Sequence, residues 1–410
     1  MVQTSGKGAT SKVSQLSPYF ADVGVIGLPP EAWGGPWMSR HHVLTRLATY
    51  FNVIWCNPAL DWRRARQRHT LPSQVIHHGT TFTPGFTIYD PGKWLPRFYR
   101  PYFLARLTER QRLSRAQRFL HKQGCRKLVL SLWSPQQEPA LNMINHDLSC
   151  YHIDDEYTFS EIEQPIEECE ASLILRVNQT FIHSPALLEK KGNLNSHTLY
   201  VPNGVDYRAY VTPHCEPTDL RPIPHPRVGY VGYIKKQLDI ALLVNLAQRH
   251  QKWSFVFVGP QGNLGENFTL VQKLSRMPNV YFLGEKPVSA LPAYTQHLDV
   301  CLLCYERNDY TKFICPLKLH EYLASGCPVV GSPIRTLLDF AHVITLAQTL
   351  DEWSQALADA LAPSACSAEQ IEVRRRVARK YDWDDLVCLI AQTICERLGT
   401  SYSERFEQLR

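Results

Sequence analysis

At 410 residues, 44% hydrophobic and 20% charged, the chain is too long for one ordinary core and suits two domains of roughly 150–200 residues. Its 12 cysteines show no paired spacing, residues 1–17 are polar with no apolar leader, and no apolar run approaches the ~18–20 residues that span a bilayer. A disulfide scaffold and a membrane-spanning chain are thereby excluded, a reducing cytosol is indicated, and the net charge of +6 hides a basic stretch, Arg40 to Lys127 (17 Lys/Arg, 3 acids), followed by an acidic one, Glu138 to Glu170 (10 acids, no Lys or Arg).

Residues 1–17 read as a disordered tail. From 18 to 205 short apolar strands alternate with helical stretches: VGVIGLP, a helix across MSRHHVLTRLATYF, and NVIWCNP come first. The basic runs follow, RRARQR (63–68) and a helix within 97–123 that sets Phe103, Leu107, Leu113, Ala116 and Leu120 along one side with arginines flanking it. Such a charge field suits anionic phospholipid headgroups or a phosphorylated acceptor; a solvated arginine face is the plain alternative, and nothing in the pattern favours nucleic acid. Then come KLVLSLW, a helix around PALNMINHDL, CYHIDD, and QTFIHS with PALLEKKG. Residues 206–226, rich in proline, read as a linker.

A second series fills 227–370: RVGYVGY, helix QLDIALLVNLAQRH, SFVFVGP, NVYFLGE, a short helix at SALPAYTQH, DVCLLCY, a helix at 317–325 and CPVVGS. A strand near HVITL and helices at 351–361, 367–379 and 383–398 follow; residues 371–398 are expected to pack back across the domains, and 399–410 to form a tail. This is the βαβ rhythm of parallel sheets. The predicted class is α/β, two Rossmann-like domains whose sheets face each other across a cleft at their strand C-termini.

The stretch CPLKLHEYLASGCPVV (315–330) carries the chemistry. Pro316 suits the first helical position and Gly326 a left-handed cap, so the helix starts just after a strand and turns its N–H groups to the cleft. Lys318 in the first turn adds a charge for phosphate, and Glu321, three residues on, offers a carboxylate to the vicinal hydroxyls of a ribose. A Lys–Glu surface pair is the plainer reading, but the apolar neighbours Leu317, Leu319, Tyr322 and Leu323 leave few solvated positions.

This run resembles the donor-site segment of GT-B glycosyltransferases of family 4, in the branch of bacterial teichuronic-acid and surface-polysaccharide enzymes. VPNGVD (201–206), GYVG (229–232), NVYFLGEKPVSALPAY (279–294), WGGP (33–36) and the pair Asp154–Asp155 extend the resemblance over residues 20–398. It implies a nucleotide-sugar donor held by the second domain, with no metal and no other cofactor. By position, Glu321 matches the ribose ligand, while Cys315, Pro316, Leu317 and Lys318 match the loop and helix start that hold sugar and diphosphate. Gly284, Glu285, Lys286 and Pro287 match the turn that reads the base, and Gly34 and Gly35 the loop approaching diphosphate or acceptor. The sequence departs from the pattern at Phe313, where a first glutamate is expected, and at Tyr233 after Gly232; Lys235 or Lys236 is left to reach the phosphates.

Asp154 and Asp155 close the strand CYHI, where a carboxylate can deprotonate or orient an acceptor hydroxyl; capping a helix near Tyr157 is the structural alternative. His152 lies further back. Cys301 and Cys304 would point to opposite faces of a strand, Asp382 of DWD reads as a helix cap rather than a metal ligand, and Gly259, Gly262 and Gly265 lack the dinucleotide fingerprint. The histidines at 41–42 and 77–78 have no metal-site spacing. The expected activity is a cytoplasmic glycosyltransferase, retaining, peripheral at the inner membrane face, moving sugar to a glycan or lipid-linked acceptor. A nucleotide-sugar epimerase and a non-catalytic scaffold on the same fold are the alternatives.

Overall fold

The structure, a computed structural model, describes residues 17–63, 76–78, 84–92, 95–157 and 166–409, with backbone alone at 76–78 and 166–167. Residues 1–16 of the expected tail, Arg64 to Arg68 of the first basic run and the side chains of His77 and His78 lie outside the described residues.

The first sheet contains β1 (Phe20–Leu28), β2 (Phe51–Cys56), β3 (Ile76–His78), β4 (Phe86–Tyr89), β5 (Lys127–Leu132), β6 (Leu148–Ile153), β7 (Gln179–Ile182) and β8 (Thr198–Tyr200). Its order is β3-β4-β2-β1-β5-β6-β7-β8, parallel except for β3 against β4. The second sheet contains β9 (Arg227–Val231), β10 (Ser254–Val258), β11 (Val280–Gly284), β12 (Val300–Leu303), β13 (Val329–Gly331) and β14 (Thr345–Leu346), in the order β11-β10-β9-β12-β13-β14. Its pairings are all parallel. Strands such as VCLL and SFVFV are buried throughout, the composition of a strand covered on both faces. The order reverses beside β1 in one sheet and beside β9 in the other, so the loops after β1, β5, β9 and β12 open at switch points.

Two expectations need correcting. The 206–226 segment is packed, not free: Tyr207–Val211 is helical, Leu220 and Ile223 are buried in the second core, and Arg227 is held by Glu216 at 2.7 Å and by the Ile223 carbonyl at 2.8 Å. Residues 399–410 are not a tail either. Thr400–Glu407 is a helix whose Phe406 stacks on Phe20 at 6.2 Å, while Tyr402 donates to Asp22 at 2.9 Å. On the long helix Tyr102–Lys122 only Leu113, Ala116 and Leu120 are buried; Phe103 and Leu107 stand in solvent.

The chain crosses between the halves twice, side by side. Val205 N–H donates to the Tyr381 carbonyl (2.9 Å), and Trp383 N–H donates to the Val205 carbonyl (3.0 Å). A Cβ at Gly204 would lie 2.5 Å from the Tyr381 carbonyl oxygen, so a side chain there would part the two crossings. After the second crossing, Trp383–Leu398 buries Trp383, Leu386, Val387, Ile390, Ala391 and Ile394 in the core of the first sheet, against Phe20, Val23 and Leu44. Asp382 caps that helix, accepting from Asp384 N–H at 3.1 Å.

Among the described residues, several acids of the stretch from Glu138 to Glu170 find basic partners within the first half. Glu156 meets Lys190 and Lys191 at 3.2 Å, Glu170 meets Lys191 at 2.7 Å, Asp147 meets Lys127 at 2.7 Å, and Glu138 pairs with Arg176.

Candidate active site

The helix Leu317–Ser325 begins where the sequence places it, one residue later in detail. Pro316 is the N-cap residue and Leu317 the first helical one, with Gly326 in the left-handed region at φ 81°. No acid occupies the first turn, so the helix N-terminus keeps its positive end. Tyr322 pins the helix to β9: its hydroxyl accepts from Val231 N–H at 2.8 Å. That contact sets Lys318 against the loop after β9. An alanine Cβ at Gly232 (φ 145°) would fall 1.9 Å from Lys318 Cε, so the lysine stem runs through the space a side chain would fill. Gly259 is as tightly constrained, its would-be Cβ 2.3 Å from the Gly232 carbonyl oxygen.

Lys318 lies over the Tyr230 ring at 5.2 Å, and desolvation pushes its ammonium down to about 8 even though Glu321 opposes the shift. Burial raises the Glu321 carboxyl, against the charge of Lys318 and a hydrogen bond from the Tyr210 hydroxyl. Tyr210 belongs to the helix Tyr207–Val211, within the 206–226 segment. Lys235 and Lys236 separate clearly. Lys235 lies over Tyr233 at 5.1 Å, its ammonium lowered by desolvation against the opposing charge of Asp155, whereas the Lys236 stem runs beside Gly265. Gly284 (φ 69°) takes the Gly259 N–H on its carbonyl at 2.8 Å and has open space on its Cβ side, and Glu285 is exposed with its charge bearing on Tyr233. Lys286 is engaged elsewhere, bridged to Asp219 at 2.7 Å.

Across the cleft the two aspartates divide. Asp154 pairs with Arg40, which also pairs with Glu31 just before the WGGP loop; only 12% of the Arg40 side chain and 8% of Asp154 remain exposed. Burial raises the Asp154 carboxyl despite the guanidinium beside it. Asp155 stays open to solvent, raised by desolvation and by the charge of Asp154, and accepts from the Tyr310 hydroxyl of the second half at 3.1 Å. Gly34 and Gly35 are exposed beside Glu31, and Trp33 anchors their loop through Asn57 Oδ1 (2.9 Å) and edge contacts to Trp37 and Trp55. His152 is buried, stacked on Trp133 at 4.0 Å, and does not reach the cleft. Cys301 meets Cys327 rather than Cys304, at 3.2 Å between sulfurs. Among the described residues no cluster of His, Cys, Asp or Glu could hold a metal ion.

Two further contacts join the halves: Asn203 Nδ2 donates to the Cys315 carbonyl at 2.7 Å, and Arg335 bridges to Glu189 at 2.6 Å. The second borders a cavity of about 610 Å³ lined partly by Phe313, which is buried between the halves under Lys190 and Lys312. Phe313 therefore supplies packing where the family pattern has a carboxylate.

The candidate residues of the two halves face one another at the C-terminal edges of the two sheets, and solved structures share the fold that carries them. Sucrose-phosphate synthase (tll1590) from Thermosynechococcus elongatus superposes with TM-score 0.65 at 16% identity over 92% of this chain and 98% of that one. Anabaena Alr3699/HepE, solved in complex with UDP and glucose, gives 0.65 at 14% identity over 90% and 99%. The chain has the GT-B fold. The GT-B second half matches a family model described as "Glycosyl transferases group 1" over residues 225–363. In sequence the chain is 30% identical over 241 residues to the "Putative teichuronic acid biosynthesis glycosyltransferase TuaH" of Bacillus subtilis (strain 168); the match covers 55% of this chain and spans 58% of that relative's length.

Proposed function

We propose that this GT-B chain is a glycosyltransferase that takes a sugar from a nucleoside diphosphate and passes it, with retention, to a glycan or lipid-linked acceptor in cell-surface polysaccharide synthesis. The observation that carries the reading is the join of Gly232, Lys318 and Glu321: a glycine-cleared passage brings a lysine to a helix N-terminus, with a carboxylate one turn along. Diphosphate would sit against the helix tip and Lys318, with Lys235 reaching it from the loop after β9 and the ribose hydroxyls on Glu321. Charge that develops on the leaving diphosphate is then met by two lysines and a helix dipole, and no metal is required. Asp155 is the carboxylate placed to take or orient the acceptor proton; Asp154, tied to Arg40, holds the wall of the cleft.

Thermal unfolding with UDP, GDP, ADP and CMP, wild type beside Glu321→Ala, tests the reading. One nucleotide is expected to raise the melting temperature of the wild type and not of the variant. No response to any of them at millimolar concentration would return the helix to a role in core packing.

The state of Lys318 gives a second expectation. In the free protein its ammonium is held near 8, and a bound diphosphate raises that value by adding negative charge. Binding therefore takes up a proton above pH 8, and nucleotide affinity is expected to fall as pH rises from 8 toward 10, by up to about tenfold per unit. Calorimetric titration in buffers of different ionisation enthalpy checks both the slope and the proton uptake; Lys318→Arg is expected to remove the slope.

A further inference from the structure

The first two turns of the helix Tyr102–Lys122 present an amphipathic face that the described residues leave uncovered. Tyr102 is 71% exposed, Phe103 67% and Leu107 51%, and Tyr99 just before the helix 52%. Phe103, Arg106, Leu107 and Arg110 follow one another at i, i+3, i+4 and i+7, the spacing of a single helical face. Arg100, Arg106 and Arg110 are exposed, and among the described residues none of them makes an ion pair. This contrasts with Glu138, Asp147, Asp154, Glu156 and Glu170 of the acidic stretch, each of which meets a basic partner. The one acid between Arg97 and Lys127 is Glu109, which is partly buried, its carboxyl raised by desolvation against the charges of Arg112 and Arg97.

The position of this face bears on the site. The helix leads from β4, which ends at Tyr89, to β5, which starts at Lys127, so it runs against the parallel strands. Its first turns therefore lie at the edge bearing the strand C-termini, the edge that carries Asp154 and Asp155. Arg97 Nη2 contacts Gln136 Oε1 at 3.5 Å, in the turn that follows β5, and Arg112 holds the Leu95 carbonyl at 3.1 Å.

We propose that this face docks the chain on a bilayer surface rich in anionic phospholipid. Phenylalanine, tyrosine and leucine side chains would enter the headgroup boundary, and the flanking arginines would meet lipid phosphates. Arg100, Arg106 and Arg110, without an ion pair among the described residues, give the charge complementarity, and the helix N-terminus adds to it. Docking in this orientation sets the acceptor edge of the cleft beside the membrane and makes the acceptor a lipid-linked one. That last clause rests on the transferase reading; the docking does not.

Co-sedimentation of the full chain with phosphatidylcholine vesicles, alone or with about one-third phosphatidylglycerol, tests it. The chain is expected to pellet with the anionic vesicles, to be released by salt, and to stay in the supernatant with phosphatidylcholine alone. Phe103→Ser/Leu107→Ser and Arg106→Glu/Arg110→Glu should each lower the partition about tenfold or more. Both variants should keep the nucleotide-dependent rise in melting temperature, which shows them folded. Equal pelleting of wild type and variants, or no preference for anionic lipid, would overturn the proposal. So would a wild-type dimer that Phe103→Ser/Leu107→Ser converts to a monomer without any vesicle binding, since a second copy would then cover the face. Vesicle binding without a response to any nucleotide would uphold the docking and count against the transferase.

Discussion

Gly232→Ala is expected to abolish nucleotide binding while leaving a folded protein. Two effects combine at this residue. The backbone at φ 145° lies outside the region an alanine adopts without strain, which costs about 1–3 kcal/mol. The added methyl would also stand 1.9 Å from Lys318 Cε, and a lysine side chain moves more readily than a strand. Lys318 would swing away from the helix tip, taking with it the charge proposed to meet the diphosphate. Affinity for the preferred nucleotide should fall at least about 100-fold, a loss of about 3 kcal/mol, the scale of a charge-assisted hydrogen bond. Isothermal titration measures the affinity, and a urea melt the stability. A variant that binds nucleotide as the wild type does would place the phosphate away from Lys318.

Arg40→Ala is expected to be among the most damaging single substitutions in the first half. It would strip two acids of one partner, leaving Asp154 and Glu31 in a wall of the cleft where their side chains are only 8% and 21% exposed. Breaking such a pair from one side costs about 3–5 kcal/mol, because a charge remains without water or counter-charge. Adding Asp154→Asn should recover a substantial part of the loss, since the amide needs no counter-ion; urea denaturation of the single and double variants measures the coupling. If the double variant is no more stable than Arg40→Ala alone, the pairing contributes little, and Asp154 would stand available for chemistry beside Asp155.

The elements that the sequence reveals and those it conceals differ in physical kind. The helix Leu317–Ser325 is legible because its punctuation is local: a proline before it, a glycine after it, and a lysine and glutamate three apart. Strands such as SFVFV and VCLL are legible because burial on both faces demands unbroken apolar runs. Arg40 and Asp154 are 114 positions apart in sequence, and Tyr310 and Asp155 are 155 apart. No periodicity announces such polar partners; only the meeting of two sheet edges makes them neighbours. Tyr210 was hidden for another reason. The prolines after it correctly deny a long helix there, but lack of periodicity is not lack of packing, and Leu220 and Ile223 are buried nonetheless. The helix Thr400–Glu407 escaped because one buried residue, Phe406, and polar contacts to Asp22 hold it, too few apolar positions to form a pattern. On Tyr102–Lys122 the period is real, but the structure covers only its second half.

The helix Trp383–Leu398, lying in the core of the first sheet, also has a consequence in time. A chain leaving the ribosome exposes β1 to β8 long before that helix exists, so Phe20, Val23 and Leu44 must wait for Trp383, Val387 and Ile390 to cover them. The second core draws on one continuous run from Val205 to Ala378 and can close without waiting. Domains ordinarily fold in the order in which they are made. In this chain the half that is made first is finished last.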